Sequence, residues 1–112
     1  VPKLRFSQYG GVQIAIADDA DSQRYVIRVD GKRAGLLQYQ LRPESIELVH
    51  TEIYEEFEGR GLGSQLISFA LQDARERGLA VLPICPFVND YIQRHRQYVD
   101  LVPEGRRGDF GL

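Results

Sequence analysis

The hydrophobic period of this chain first changes from strand to helix at a run of glycines. Along 12–54 apolar residues alternate within short segments, as in half-buried strands. From Leu62 they fall at 62, 66, 67, 70, 71 and 74, the stripe of an amphipathic helix. Between them stands EGRGLGS (58–64), with Gly59, Gly61 and Gly63 at alternate positions. Glycine in or next to a helix is about 1 kcal/mol less favourable than alanine. A helix start that accepts this penalty needs bare backbone N–H groups for some purpose.

The alternating segments are VQIAIA (12–17), RYVIRV (24–29), AGLLQYQL (34–41) and SIELVHTEIY (45–54). DDADS, Asp30-Gly31 and Arg42-Pro43-Glu44-Ser45 are turn signals between them, so an antiparallel meander is expected. In the fourth segment strict alternation puts Ile46, Leu48 and His50 on one face, and Glu47, Val49 and Thr51 on the other. Gly78 stops the helix, and Arg75 and Arg77 favour its C-terminal dipole. LAVLPI (79–84) reads as a buried strand reached through that helical crossover, and VNDYIQRHRQYV (88–99) as a short helix. The order β-β-β-β-α-β-α implies one α+β domain over 1–112, with its core at about 12–102. Residues 1–11 read as an irregular lead-in and 103–112 as a loose tail.

Charge and composition narrow the function classes. With 14 basic and 16 acidic residues the net charge is −2, so no global basic field attracts nucleic acid or an anionic membrane. No apolar run approaches the ~20 residues that span a bilayer, and no signal-peptide pattern is visible. Cys85 is the single cysteine, which fits a reducing cytoplasm. With His50 and His95 it shows no metal-ligand spacing, so no metal is expected.

The glycine loop joins an extended segment to a helix, where the first N–H groups lack partners and carry partial positive charge. Such a place suits phosphate, and glycine lets it approach. Two common phosphate loops are excluded. Gly63 is followed by Ser64-Gln65 rather than by the Lys of a P-loop. The GxGxG spacing and the preceding antiparallel strands do not fit a dinucleotide fingerprint. A plain glycine-rich turn is the remaining structural alternative.

The stretch TEIYEEFEGRGLGSQLISFALQDARERG (51–78) resembles the central motif of the GNAT acetyltransferases. HTEIYEEFEGRGLGS followed by LPICPFVNDYIQRH is similar to a small single-domain GNAT-like group, over about residues 24–102. The resemblance implies a mixed, mainly antiparallel sheet with a crossover helix after the glycine loop and a short C-terminal helix. The sheet would be splayed between the strand ending near Tyr54 and that of 79–84. It implies acetyl-CoA as cofactor, its diphosphate held by amides of the loop Gly59, Arg60, Gly61, Leu62, Gly63 and Ser64. The family's Arg or Gln at the first motif position is here Glu58; the loop then works if Glu58 points away and Arg60 supplies the charge.

Acetyl transfer further needs a donor for the thioester carbonyl, a base and a proton for the leaving thiolate. A backbone N–H near Ile53 or Tyr54 is the expected donor, freed by a strand bulge. His50 is the first candidate base, because imidazole titrates near about 6.5; Glu52 would orient it or act instead. Cys85 is a candidate acetyl acceptor or proton donor if a partner such as His50 activates its thiol, and otherwise an inert buried thiol. Asn89 and Tyr91 are candidate contacts to the cofactor arm, Tyr91 also a candidate general acid.

The expected function is therefore N-acetyl transfer to an unidentified amine on a small molecule or protein. The alternative is a non-catalytic CoA-binding module, a sensor or interaction protein. A monomer or weak homodimer is expected, since an exposed strand edge allows pairing.

Overall fold

The structure, a computed structural model, describes residues 4–112. Its sheet has six strands in chain order: β1 (Leu4–Tyr9), β2 (Val12–Asp19), β3 (Arg24–Val29), β4 (Lys32–Leu41), β5 (Ser45–Ile53) and β6 (Ala80–Leu82). The first five pair antiparallel, and β6 joins β5 in parallel through the crossover helix α1 (Leu62–Glu76). A second helix, α2 (Pro86–Arg94), follows β6. This is the mixed, mainly antiparallel α+β fold expected from the sequence.

One strand was not expected. Leu4–Tyr9 is not an irregular lead-in but pairs with β2 from Leu4↔Ala17 to Tyr9↔Val12. The connection is Gly10-Gly11 with φ of 60° and 83°, a two-residue hairpin turn that needs left-handed backbone at both positions.

β5 carries a one-residue irregularity that decides the site. Gln38 pairs with His50 while Tyr39 pairs with Leu48, so Val49 is an extra residue in the ladder. Inserting one residue inverts every later side chain. Ile46 and Leu48 are buried as expected, but Thr51 then takes the buried face and His50 the exposed one. The expectation that His50 shares a face with Ile46 and Leu48 is thus corrected. Gly35 of β4 permits this stretch to lie close: a Cβ there would collide with the Glu52 carbonyl and with Ile53.

α1 buries Leu62, Leu66, Ile67, Phe69, Ala70, Leu71 and Ala74 against Tyr25, Ile27, Leu37 and Leu48 of the sheet. Its one buried carboxylate is satisfied. Tyr25 donates to Asp73 Oδ2 at 2.7 Å, and Arg77 Nη1 donates to the same oxygen at 3.2 Å. Alongside, Tyr39 donates to Asp18 Oδ1 at 2.7 Å, with Arg77 3.6 Å from Asp18. These contacts lock the end of α1 onto β2, β3 and β4. Residues 103–112, expected to be loose, form a 3₁₀ turn over Glu104–Phe110. Arg107 Nε donates to the Val102 carbonyl at 2.9 Å, Gln93 Nε2 to that of Phe110 at 3.3 Å, and Phe110 and Leu112 pack on the core.

Burial, and then donation to Asp73, push the Tyr25 phenol well above its ordinary 10.0. A raised folded pKa contributes stability below pH 10 that is lost as the unfolded chain begins to ionise above it. Tyr25→Phe is expected to lower stability by about 1–3 kcal/mol at pH 8, because a buried acceptor loses a donor. In urea titrations the gap to wild type should narrow above pH 10, by up to about 1.4 kcal/mol per pH unit. A gap independent of pH would contradict a buried neutral donor at this position.

Candidate functional site

Strand β6 stays with β5 only over Ser45↔Ala80, Ile46↔Val81 and Glu47↔Leu82. Pro83, which has no N–H, ends the ladder, and one last bond runs from Cys85 N to the Leu48 carbonyl at 2.8 Å. Beyond it the strand and the chain separate. Tyr54 N donates to the Ala34 carbonyl at 2.8 Å, toward β4. Backbone direction alternates along a strand, so the Ile53 N–H points the other way, into the gap. Of the two expected donors, Tyr54 is engaged within the sheet, and Ile53 is the one that faces the opening.

The gap is a cleft of about 530 Å³ between the end of β5, the front of α1 and one side of α2. Its walls are mostly apolar: Ile53, Phe57, Leu62 and Ile67, with Phe87 and Tyr91 from α2. Phe87, Tyr91 and Arg94 lie at i, i+4 and i+7, one helical face. Phe87 is 69% exposed, an aromatic held at an open rim with nothing to cover it.

At one end the cleft meets the glycine loop. Gly59 and Gly61 have φ of 79° and 73°, which L side chains rarely adopt. Gly61 is the N-cap of α1 and no side chain caps the helix, so the amides of Leu62, Gly63 and Ser64 are left to the cleft they line. The first amide with an internal acceptor is Gln65, bonded to the Gly61 carbonyl at 3.2 Å. Gly63 differs from its neighbours: its backbone is ordinary, and a Cβ there would meet Ile53 at 3.7 Å. Its missing side chain leaves room rather than conformational freedom.

Of the two charged residues at the loop, Glu58 is among the residues lining the cleft, whereas the Arg60 guanidinium lies 5.5 Å from the Phe57 ring centroid and is outside the lining. Arg94, at the far wall, pairs with Asp90 at 2.8 Å.

The proposed chemical groups separate into two sets. Glu52 and Tyr91 line the cleft; His50, Cys85 and Asn89 do not. His50 Nε2 lies 3.8 Å from Glu52 Oε1, on side chains 55% and 52% exposed. Cys85 is 2% exposed, and its partner is the Thr51 hydroxyl at 3.4 Å rather than His50. Thr51, a lining residue, therefore stands between the thiol and the opening. Asn89 Oδ1 is buried and has no partner among the described residues. Tyr91 stacks on His95 with centroids 3.9 Å apart, and His95 Nδ1–H donates to the Tyr91 carbonyl at 2.8 Å. This fixes the imidazole's tautomer and packs it against the Tyr91 ring.

Sequence reasoning missed Thr51, Phe57, Ile67 and Phe87. Thr51 is hidden by the bulge; Ile67 belongs to the apolar stripe of the helix; Phe57 falls between the strand and helix patterns; Phe87, an aromatic just behind the N1 proline of α2, carries a signal in its position. No group of metal-ligating residues occurs among the described residues, and no described helix is long and apolar enough to cross a membrane.

Comparison with known proteins shows the family and the fold. The chain is 26% identical over 87 residues to Protein NATD1 of Gallus gallus, covering 76% of this chain and 79% of that one. Protein NATD1 of Homo sapiens matches at 26% over 87 residues, 76% of this chain and 77% of its own. Among solved structures, a ribosomal-protein-alanine N-acetyltransferase from Brucella melitensis biovar Abortus 2308 superposes with a TM-score of 0.53 at 23% identity. That superposition covers 66% of this chain and 58% of the other, and it shows a shared fold. Residues 24–101 match the family described as GCN5-related N-acetyl-transferase, from β3 through the glycine loop and α2 and stopping before the C-terminal 3₁₀ turn, and the chain belongs to that family.

Proposed function

We propose that the protein is an acetyl-CoA-dependent N-acetyltransferase that transfers acetyl directly to an amine. The observation that carries this reading is the uncapped front of α1 opening into an apolar cleft beside an unpaired strand edge. The three features match the three parts of the cofactor. The diphosphate suits the amides of Leu62, Gly63 and Ser64. The amide-rich pantetheine arm suits the free edge of β5, as an added strand would. The thioester then reaches the Ile53 N–H, a fixed donor for the carbonyl oxygen as it becomes an oxyanion.

In the reaction the amine nitrogen attacks the acetyl carbonyl carbon. A C–N bond forms, the C–S bond breaks, and the thiolate departs with a proton. Glu52, a lining residue, is the candidate base for the proton the amine gives up, with His50 3.8 Å away as the candidate to hold or relay it. The Tyr91 hydroxyl, on the opposite wall, is the candidate donor to the thiolate. A covalent acetyl-cysteine is disfavoured by the burial of Cys85 behind Thr51.

Turnover is read as thiol release from acetyl-CoA against a panel of amines. Glu52→Gln should lower kcat/KM by about 10²–10³, while Cys85→Ser, which keeps the contact to Thr51, should stay within about threefold of wild type. Loss of turnover in Cys85→Ser together with acetylated Cys85 in the wild type would replace direct transfer by a cysteine route. Acetyl-CoA binding with no release of thiol to any amine would favour the CoA-binding module instead.

The loop gives a separate expectation. Gly63→Ala should raise helix stability by up to about 1 kcal/mol and weaken acetyl-CoA, since the new methyl occupies the approach to the amides. Glu58→Gln should tighten acetyl-CoA by about three- to tenfold, because a carboxylate beside a diphosphate is removed. Thermal melts with and without acetyl-CoA check both; Gly63→Ala binding as well as wild type would show that the loop is only a turn.

A further inference from the structure

The two faces of the sheet are furnished differently. The helices pack on the face of Tyr25, Ile27, Leu37 and Leu48. On the other face the register aligns Ala17, Val26, Leu36 and Glu52 in one row across β2 to β5. Val26 and Leu36 are buried, yet they are not part of the cluster that includes the helices. Long side chains that alternate with them must supply their cover.

Two of those side chains are unneutralised cations. Arg28 of β3 stands directly opposite Arg33 of β4. Like charges directly across a sheet are destabilising. Arg33 Nε and Nη2 are buried and have no acceptor, and neither arginine has an ion-pair partner among the described residues. Elsewhere on the face the charges are paired: Arg24 lies 3.8 Å from Asp19, with its own buried Nε also lacking a hydrogen-bond partner among the described residues, and Arg42 lies 3.3 Å from Glu47. An anion beside Arg28 and Arg33 would relieve the repulsion, and a turn of the Arg33 guanidinium outward to meet it would satisfy the donors that are orphaned while buried.

The pair also sits in a useful place. Leu36 lies beside Glu52, and Arg33 lies three residues from Leu36 along β4, with the extra residue Ala34 between. Strand spacing and rise put the Glu52 and Arg33 side chains of the order of 10 Å apart. Glu52 is also the one residue of this row that lines the cleft.

We propose that this helix-free face is the acceptor site, and that the acceptor is a small molecule carrying a carboxylate a few carbons from its primary amine. The carboxylate lies between Arg28 and Arg33, the short alkyl chain lies on Leu36, and the amine reaches the cleft mouth at Glu52. Transfer forms the amide C–N bond, breaks the thioester C–S bond and moves the amine proton to Glu52; the carboxylate is unchanged. The inference rests on the acetyl-transfer reading of the cleft.

The test is an NMR titration of backbone amides with two ligands of equal chain length, 5-aminopentanoate and pentylamine, followed by acetyl-CoA. The aminoacid should shift the amides of Arg28, Arg33 and Leu36 and bind at least about tenfold more tightly than the amine. Arg33→Gln should abolish that preference, and Arg28→Gln, on an exposed side chain, should weaken it while leaving the fold intact. Equal shifts from both ligands, or no shifts on this face at millimolar concentration, would overturn the proposal. If acetyl-CoA then moves Gly61, Gly63 and Ser64, the cofactor reading stands and the acceptor site alone has failed. If the aminoacid binds through Arg33 but acetyl-CoA moves nothing, the anion site is real and its assignment to an acetyl acceptor is overturned.

Discussion

The separation of β5 from β6 is the constraint on which the rest of the molecule turns. Two strands that run side by side for three residue pairs cannot stay paired once a proline removes the next donor and an extra residue bends the partner. The sheet therefore has an open edge along the end of β5, beyond the short outermost strand β6. Backbone groups freed there must find other partners. The cleft, the Ile53 N–H and the position of α2 over the gap all follow from that one divergence. α1 is anchored at its far end by the Tyr25–Asp73–Arg77 contacts, and its uncapped front is directed at the same opening.

The glycine loop answers two demands at once. Gly59 and Gly61 allow left-handed backbone, which turns the chain sharply into α1. Gly63 needs no such freedom, and a side chain there would come to rest against Ile53 at the cleft wall. Glu58 works against anion binding from its place in the lining, and Arg60 does not offset it from its seat over Phe57. The site is thus built more from oriented amides than from cationic side chains.

Much of this was legible in the sequence where a residue's role is local. The helical stripe, the glycine loop and the alternating strands each announce themselves within a few positions. β1 did not, because its pattern is inverted: Leu4 and Phe6 face the open side, while Arg5 turns inward and lies over Phe69. Its one signal was Gly10-Gly11. The C-terminal turn was missed because hydrogen bonds to backbone carbonyls hold it, and these leave no hydrophobic period. His50 was assigned to the wrong face because a bulge is an event of pairing between two strands, and neither strand alone reveals it. The same bulge hid Thr51 and with it the true neighbour of Cys85. Residues whose roles depend on two elements meeting, such as Arg28 with Arg33, became visible only once the register was known.

The central claim is that the bare amides at the front of α1 hold a phosphate group of the cofactor. It is tested most directly by calorimetric comparison of pantetheine with 4′-phosphopantetheine, which differ only in one phosphate. Charge-assisted bonds to two or three fixed amides predict that the phosphorylated compound binds about 10- to 100-fold more tightly. Equal affinities for the two would contradict the account.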